Sequence, residues 1–379
     1  MRIALVYDCL FPYTVGGAER WYRNLAERLA AAGHDVTYLT LRQWERGSEP
    51  DIPSVEVVAV GPRMPLYSGG RRRLVPPIVF GLGVLTHLLR RGRHYDVVHT
   101  ASFPYFSLLA AAAMRRRGRF RLVVDWIEVW TRSYWIEYLG PVGGRLGWRV
   151  QRLCARTKHR AFALSELHAR RLREEGFGGE VTVLGGLYSG PSDATPAAHA
   201  EDVVVFAGRH IPEKRVTALI PALARVRKRM PQLRGEIYGD GPERPKVLRA
   251  IERHGLNGAV DAPGFVEPQR VTEALRRALC LVLPSRREGY GLVVVEAAAL
   301  GTPSVVVWDP DNAATELVED GRNGVVAESA GPDDLADAIV RVHEAGQALR
   351  ASTAAWFAQN AHRLSLDNSL ETVLRAYAG

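Results

Sequence analysis

Residues 279–308 read LCLVLPSRREGYGLVVVEAAALGTPSVVVW. An apolar run (279–285) ends in Pro-Ser, a glycine-punctuated turn follows, a helix opens at Gly291-Leu292-Val293, and a second apolar run occupies 303–308. Two strands joined by a helix make a β-α-β unit with a right-handed crossover. Strands that are apolar along their whole length belong to parallel sheets covered by helices on both faces. The same stretch holds two glutamates eight positions apart. Glu288 stands in the loop at the strand's carboxyl end. Glu296 stands about a turn into the helix, whose free N–H groups and positive dipole end suit a phosphate. A carboxylate accepting two hydroxyl hydrogen bonds is the usual way to hold a ribose.

Outward from this unit the pattern repeats. Strands are expected at 202–208, 234–240, 259–264 and 324–327, and an earlier series at 2–7, 35–40, 55–60, 95–100, 121–126, 161–166 and 181–186. Between the first two, Trp21, Leu25, Leu29 and Ala32 recur at helical spacing. The two series are separated by LYSGPSDATPAAHA (187–200), which has the composition of a linker. The expected fold class is therefore α/β, with two Rossmann-like, doubly wound parallel-sheet domains facing across a cleft. The expected domains are residues 1–190 and 191–364, and ligands are expected in the cleft at the strands' carboxyl ends.

The 379 residues, 47% hydrophobic and 24% charged, exclude a disordered chain or a disulfide-stapled miniature fold. Three cysteines, Cys9, Cys154 and Cys280, form no CxxC, which fits a reducing compartment, and the five-residue apolar run after Arg2 is too short for a signal peptide. The expected location is the cytoplasm. Residues 1–195 carry 28 Lys and Arg against 17 Asp and Glu, and residues 196–379 carry 22 against 24. The arginine clusters at 71–73, 90–93 and 115–119 lack the aromatic interleaving of a nucleic-acid binder, so none is expected. Leu74 to Leu89 is too short to span a bilayer and is broken by Pro76-Pro77. Three readings of the basic half stand together: an anionic acceptor, peripheral association with an anionic membrane at its inner face, or solvated helix ends.

A second chemical pattern is Phe206-Ala-Gly208-Arg209-His-Ile-Pro-Glu-Lys214-Arg215. Gly208 permits a tight turn after the strand, and Arg209 with Lys214 can clamp a diphosphate, one as a planar fork and the other as a point charge. Lysine occurs only at 158, 214, 228 and 246, so its use here, in a chain that otherwise prefers arginine, is selective.

With GGAER (16–20), AGRHIPEK (207–214), YGDGPER (238–244), GFV (264–266), EGYGLVVVEAAALGTPSVV (288–306) and DGRNGVV (320–326), the chain resembles the GT-B retaining glycosyltransferases of family four. The resemblance implies an enzyme of the hexosyltransferase class that uses a nucleoside-diphosphate sugar, UDP- or GDP-linked, as co-substrate, with no other cofactor and no metal. It makes Arg209 and Lys214 the diphosphate ligands and Glu296 the ribose ligand. Glu288 binds sugar hydroxyls beside the reacting carbon, and Gly289, Tyr290, Gly291, Leu292 and Val293 offer backbone N–H groups. Gly239, Gly241, Phe265 and Val266 wall the base, and Gly16 and Gly17 approach the diphosphate from the first domain. The closing segment 365–379 resembles the family's last helix, which packs back on that domain.

Two departures bear on mechanism. Ile127 stands where the family has a histidine near the reacting sugar, and an isoleucine neither donates nor accepts a hydrogen bond, so that contact is lost or passes to a neighbour such as Glu128, Asp125 or His99, the last reading equally as a cleft residue or a structural histidine. Gly185-Gly186-Leu187-Tyr188 replaces the usual Asn-Gly-Val-Asp turn. The expected reaction is transfer to an acceptor hydroxyl with retention at the anomeric carbon. A GT-B epimerase or hydrolase of nucleotide sugars and a non-catalytic sugar-nucleotide binder are the alternatives. The acceptor, a small molecule, lipid or glycan, is not readable from the residues. Asp309-Pro-Asp311 has metal-motif spacing but follows a different strand.

Overall fold

A computed structural model of the chain describes residues 1–68, 71–191 and 199–378, with the side chains of 67, 68 and 71 outside that description. The chain divides into two compact units, Met1–Gly185 together with the segment from Ser369 on, and Gly186–Asn368.

The first unit is built on seven parallel strands: β1 (Arg2–Val6), β2 (Asp35–Leu41), β3 (Val55–Gly61), β4 (Val97–Ala101), β5 (Arg121–Trp126), β6 (Arg160–Ala163) and β7 (Val181–Val183), in the order β3-β2-β1-β4-β5-β6-β7. Helix α1 (Gly17–Ala31) buries Trp21, Tyr22, Leu25 and Leu29, the stripe its period dictates, whereas Ala32 caps it and is exposed. Helices α2 (Val75–Arg91), α3 (Tyr105–Gly118) and α4 (Arg132–Ala155) connect β3 to β4, β4 to β5 and β5 to β6. These three crossovers run in one direction across the sheet and so lie on one face, while the β1-to-β2 crossover runs in the other. Helix α5 (Glu166–Glu174) precedes β7.

The second unit repeats the plan with six parallel strands: β8 (Val203–Ala207), β9 (Arg234–Tyr238), β10 (Val260–Gly264), β11 (Cys280–Leu283), β12 (Ser304–Val307) and β13 (Gly324–Ala327), in the order β10-β9-β8-β11-β12-β13. Its helices are α6 (Val216–Val226), α7 (Arg244–Arg253), α8 (Pro268–Arg277), α9 (Leu292–Ala299) and α10 (Pro332–Leu364), the last kinked at Gly346. β11 and β12 are buried along their whole length, as continuous apolar strands must be.

The crossing points between the units fall at 185/186 and 368/369 rather than at the expected 190/191 and 364/365. The reason is local pairing. Tyr188 N–H donates to Leu364 O (3.0 Å) and Leu366 N–H donates to Tyr188 O (2.8 Å), which holds both strands of the connection in the second unit. Residues 192–198 of the expected linker lie outside the described residues. The last helix, α11 (Leu366–Ala378), buries Val373 and Tyr377 completely.

Candidate functional site

In the second unit the expected donor residues cluster at the carboxyl ends of β8, β9, β10 and β11. After β8 the chain passes Gly208 and the exposed Arg209, then makes a short 3-10 turn at Pro212–Lys214. The turn is fixed to the next strand's loop, because His210 N–H donates to Asp240 O (2.8 Å) and Glu243 N–H donates back to His210 O (2.9 Å). Gly239 (φ +115°) has its backbone so close to Gly208 O that a Cβ would stand 1.9 Å from it, a place only glycine fills.

That geometry delivers Lys214 Nζ to Glu288 Oε1, an ion pair across 74 residues of sequence. Glu288 is 7% exposed, and Ser285 Oγ donates to the same oxygen at 2.7 Å. The loop carrying it is braced three ways. Arg286 N–H donates to Glu213 O (2.8 Å), residues 287–288 pair with 311–312, and Asn312 Nδ2 donates to Ser285 O (3.2 Å) and Val307 O (2.8 Å). Arg215 reaches Asp309 at 3.3 Å. A cation and a carboxylate that are both more than four-fifths buried lose much of their hydration, so each needs the other while no ligand intervenes.

Gly291, at φ +101°, caps α9, whose first N–H groups, at Leu292 and Val293, have no acceptor inside the helix. Gly289 lies beside Glu288, buried. Tyr290 is buried, its hydroxyl held toward the Leu187 backbone and its pKa pushed up by burial, so its side chain is core and only its backbone faces the loop. Glu296 is half-buried near Tyr188, whose phenol is pushed up by burial and by the Glu296 charge. Phe265 is 66% exposed at the end of β10, with Val266 half-buried, and Gly241 packs against His210 O.

Asp309 holds Arg215 and accepts the Asp311 N–H (3.2 Å). Among the described residues there is no group of three or more His, Cys, Asp or Glu placed to hold a metal ion.

In the first unit, Gly16 and Gly17 open α1, and neither has a positive φ, so a tight turn is not what requires them. A Cβ on Gly16 would stand 2.3 Å from Glu19 Oε2, whereas around Gly17 there is open space. The α1 N-terminus thus already carries a carboxylate, on the Gly16 side.

His99 requires a correction. It is fully buried, with Nε2 2.7 Å from Asp125 Oδ1 and Nδ1 2.5 Å from the Tyr377 hydroxyl, and Trp21 Nε1 donates to the other Asp125 oxygen (2.7 Å). Both ring nitrogens of His99 and both oxygens of Asp125 are thus engaged in the core. Glu128 is half-buried on the loop after β5, accepting from Trp130 Nε1 at 2.8 Å. Of the three neighbours able to make the hydrogen bond that Ile127 cannot, Glu128 alone stays outside the core.

Sequence reasoning missed Ser285, the Arg215–Asp309 brace and Trp308, which is 62% exposed at the end of β12. Ser285 closes the first apolar run of 279–308, so its place beside Glu288 was signalled. The Asp309 brace was not, because Arg215 lies 94 residues away. His210 was also passed over; it is fully buried, neither ring nitrogen has a hydrogen-bond partner among the described residues, and burial lowers its pKa.

The sequence profile of glycosyl transferases group 1 matches residues 201–345, and that of the glycosyl transferase 4-like domain matches residues 16–186. Alpha-D-kanosaminyltransferase of Streptomyces kanamyceticus is 32% identical over 140 residues, 37% of this chain and 36% of that protein, so the match spans about a third of the relative's length. The fold is that of sucrose-phosphate synthase from Thermosynechococcus elongatus (TM-score 0.80, 18% identity, covering 100% of this chain and 98% of that one). It is also that of Anabaena HepE in complex with UDP and glucose (TM-score 0.76, 19% identity, 100% of both chains). Two profiles in chain order, over two parallel α/β units with this fold, place the chain in the GT-B glycosyltransferases of family four.

Proposed function

We propose that this chain is a glycosyltransferase that moves a sugar from a nucleoside-diphosphate sugar to an acceptor hydroxyl, with retention at the anomeric carbon and without a metal ion. The observation that carries the reading is the buried Lys214–Glu288 pair beside the open N-terminus of α9. A diphosphate entering there offers Lys214 a doubly charged partner. Glu288 is then released to accept hydroxyl hydrogen bonds from the sugar. Arg209, exposed on the same loop, adds a second cation, and the α9 N–H groups a third source of positive potential. Together they stabilise the negative charge that grows on the leaving diphosphate, the term that dominates such transfers. Glu296 is the ribose ligand, and the walls of the base site come from Gly239, Gly241, Phe265 and Val266.

Retention follows from attack on the face from which the diphosphate leaves, the phosphate oxygen taking the acceptor proton. This needs no protein nucleophile, and it assigns Glu288 to binding rather than attack. The first unit takes the acceptor. The HepE complex makes UDP the first base to try. Three cysteines that are buried and unpaired suit a reducing, cytoplasmic setting.

The test is a mass-spectrometric screen of UDP- and GDP-sugars with and without an acceptor library, followed by NMR of the product's anomeric proton. Product that requires both substrates supports transfer. Free sugar without acceptor indicates a hydrolase, an isomerised nucleotide sugar an epimerase, and binding without turnover a non-catalytic binder. Activity abolished by EDTA and restored by Mg²⁺ or Mn²⁺ overturns the metal-free reading.

A further inference from the structure

Between Glu56 and Asp125 the chain has twelve arginines and one acidic residue, Asp96. These residues supply α2 and α3, which pack side by side and run parallel: Gly81 lies against Phe106 near the α3 N-terminus, and Gly92 against Gly118 at its C-terminus. Both helices therefore end together, bringing Arg90, Arg93, Arg116, Arg117 and Arg119 to one edge, all exposed. Arg73 is exposed at the other end of α2. Among the described residues none of these six makes an ion pair, whereas Arg72 is taken by Asp8 and Arg91 faces Glu56 at 3.8 Å.

Between these ends the outward stripe of α2 is apolar. Leu74, Ile78 and Leu82 recur every fourth residue, 64%, 44% and 59% exposed, with Val75 and Leu89 beside them. Phe106 on α3 and Val142, Leu146 and Leu153 on α4 extend the same face. Of the fifteen large apolar side chains exposed among the described residues, eight stand on these three helices and a ninth, Leu74, caps α2, a concentration that an ordinary soluble surface lacks. A shallow depression of about 420 Å³ between α3 and α4 repeats the combination at small scale, with Leu109, Ala113 and Leu153 in it and Arg115, Arg116 and Lys158 around them.

We infer that this face docks peripherally on an anionic phospholipid bilayer, the apolar stripe entering the headgroup boundary and the arginines meeting lipid phosphates. No helix among the described residues is long and apolar enough to cross a membrane, so the contact is a surface one. A second copy of the chain fits poorly, because an isologous contact sets the same cations against one another. The inference does not depend on the donor site, and its test uses no sugar nucleotide.

The full chain is sedimented with vesicles of phosphatidylcholine alone or with 30% phosphatidylglycerol, at low and moderate salt. Expected are binding to the anionic vesicles only, weakened by salt, a loss of about tenfold for Ile78→Ser/Leu82→Ser, and a loss of about fivefold per arginine for Arg116→Ser/Arg117→Ser. These positions are exposed, so melting temperatures within about 2 °C of the parent certify folded variants. Failure to sediment with anionic vesicles overturns the inference. So does binding that ignores Ile78→Ser/Leu82→Ser, which is electrostatic adsorption alone, and so does a concentration-dependent dimer in light scattering that those substitutions abolish.

Discussion

The Tyr377 hydroxyl lies 2.5 Å from Nδ1 of His99, across 278 residues of sequence, and both side chains are fully buried. Nε2 of the same ring lies 2.7 Å from Asp125 Oδ1, so the last helix is fastened to the centre of the first unit's sheet. Removing the hydroxyl leaves Nδ1 of His99 buried without its partner. Tyr377→Phe is expected to lower stability by about 1–3 kcal/mol in urea melts with little change in UDP affinity, since the donor residues are in the other unit. A parent-like melt shows that the bond does not fasten the helix.

The Lys214–Glu288 pair predicts an asymmetry in nucleotide binding. Lys214→Ala and Arg209→Ala should each weaken UDP or GDP by about 1.5–3 kcal/mol in calorimetry, the range for a charge-assisted hydrogen bond. Glu288→Gln keeps the shape and removes the competitor for Lys214, so it should bind the free nucleotide at least as well as the parent. A Glu288→Gln variant that loses nucleotide affinity places that carboxylate in nucleotide binding after all.

The two glutamates should fail in different kinetic parameters. Glu288→Gln lacks a sugar contact, so kcat is expected to fall by roughly a hundredfold with KM for the donor little changed, as for an interaction strongest in the transition state. Glu296→Gln should raise the donor KM with a smaller effect on kcat. Equal losses in both parameters for both variants refute the division of roles.

Burial lowers the His159 pKa from 6.5 to about 4. Its Nε2 accepts from Trp126 Nε1 at 3.0 Å, a bond that protonation breaks. Between pH 6.5 and 4 the unfolded chain binds a proton here that the folded chain refuses, so stability falls as the pH drops through this window and is flat with respect to His159 above it. The loss approaches about 3 kcal/mol at the acid end. His210, also lowered by burial, acts with the same sign. Urea unfolding from pH 7.5 to 4.5 should show a shallower slope for His159→Gln, and identical slopes refute the assignment.

The sequence by itself determined all thirteen principal strands: the inner ones because a strand covered on both faces is a continuous apolar, β-branched run, and the edge strands β3, β7 and β10, which are only partly buried, through short β-branched runs between turn residues. It determined α1 through its 3.6-residue stripe, and it determined the turn and helix that carry Glu288 and Glu296, because eight residues within one β-α-β unit keep their spacing in any fold of that class. Only the tertiary structure decided the roles that depend on distant atoms. His99 reads equally as a cleft residue or a structural histidine, and only the fold shows Tyr377 and Asp125 at its two nitrogens. Lys214 and Glu288 read as two separate ligands until they meet across 74 residues. Periodic burial is a local property that repeats along the chain, whereas a side chain's protonation, partners and exposure are set by whatever the fold brings within about 3 Å of it, and no local pattern encodes that.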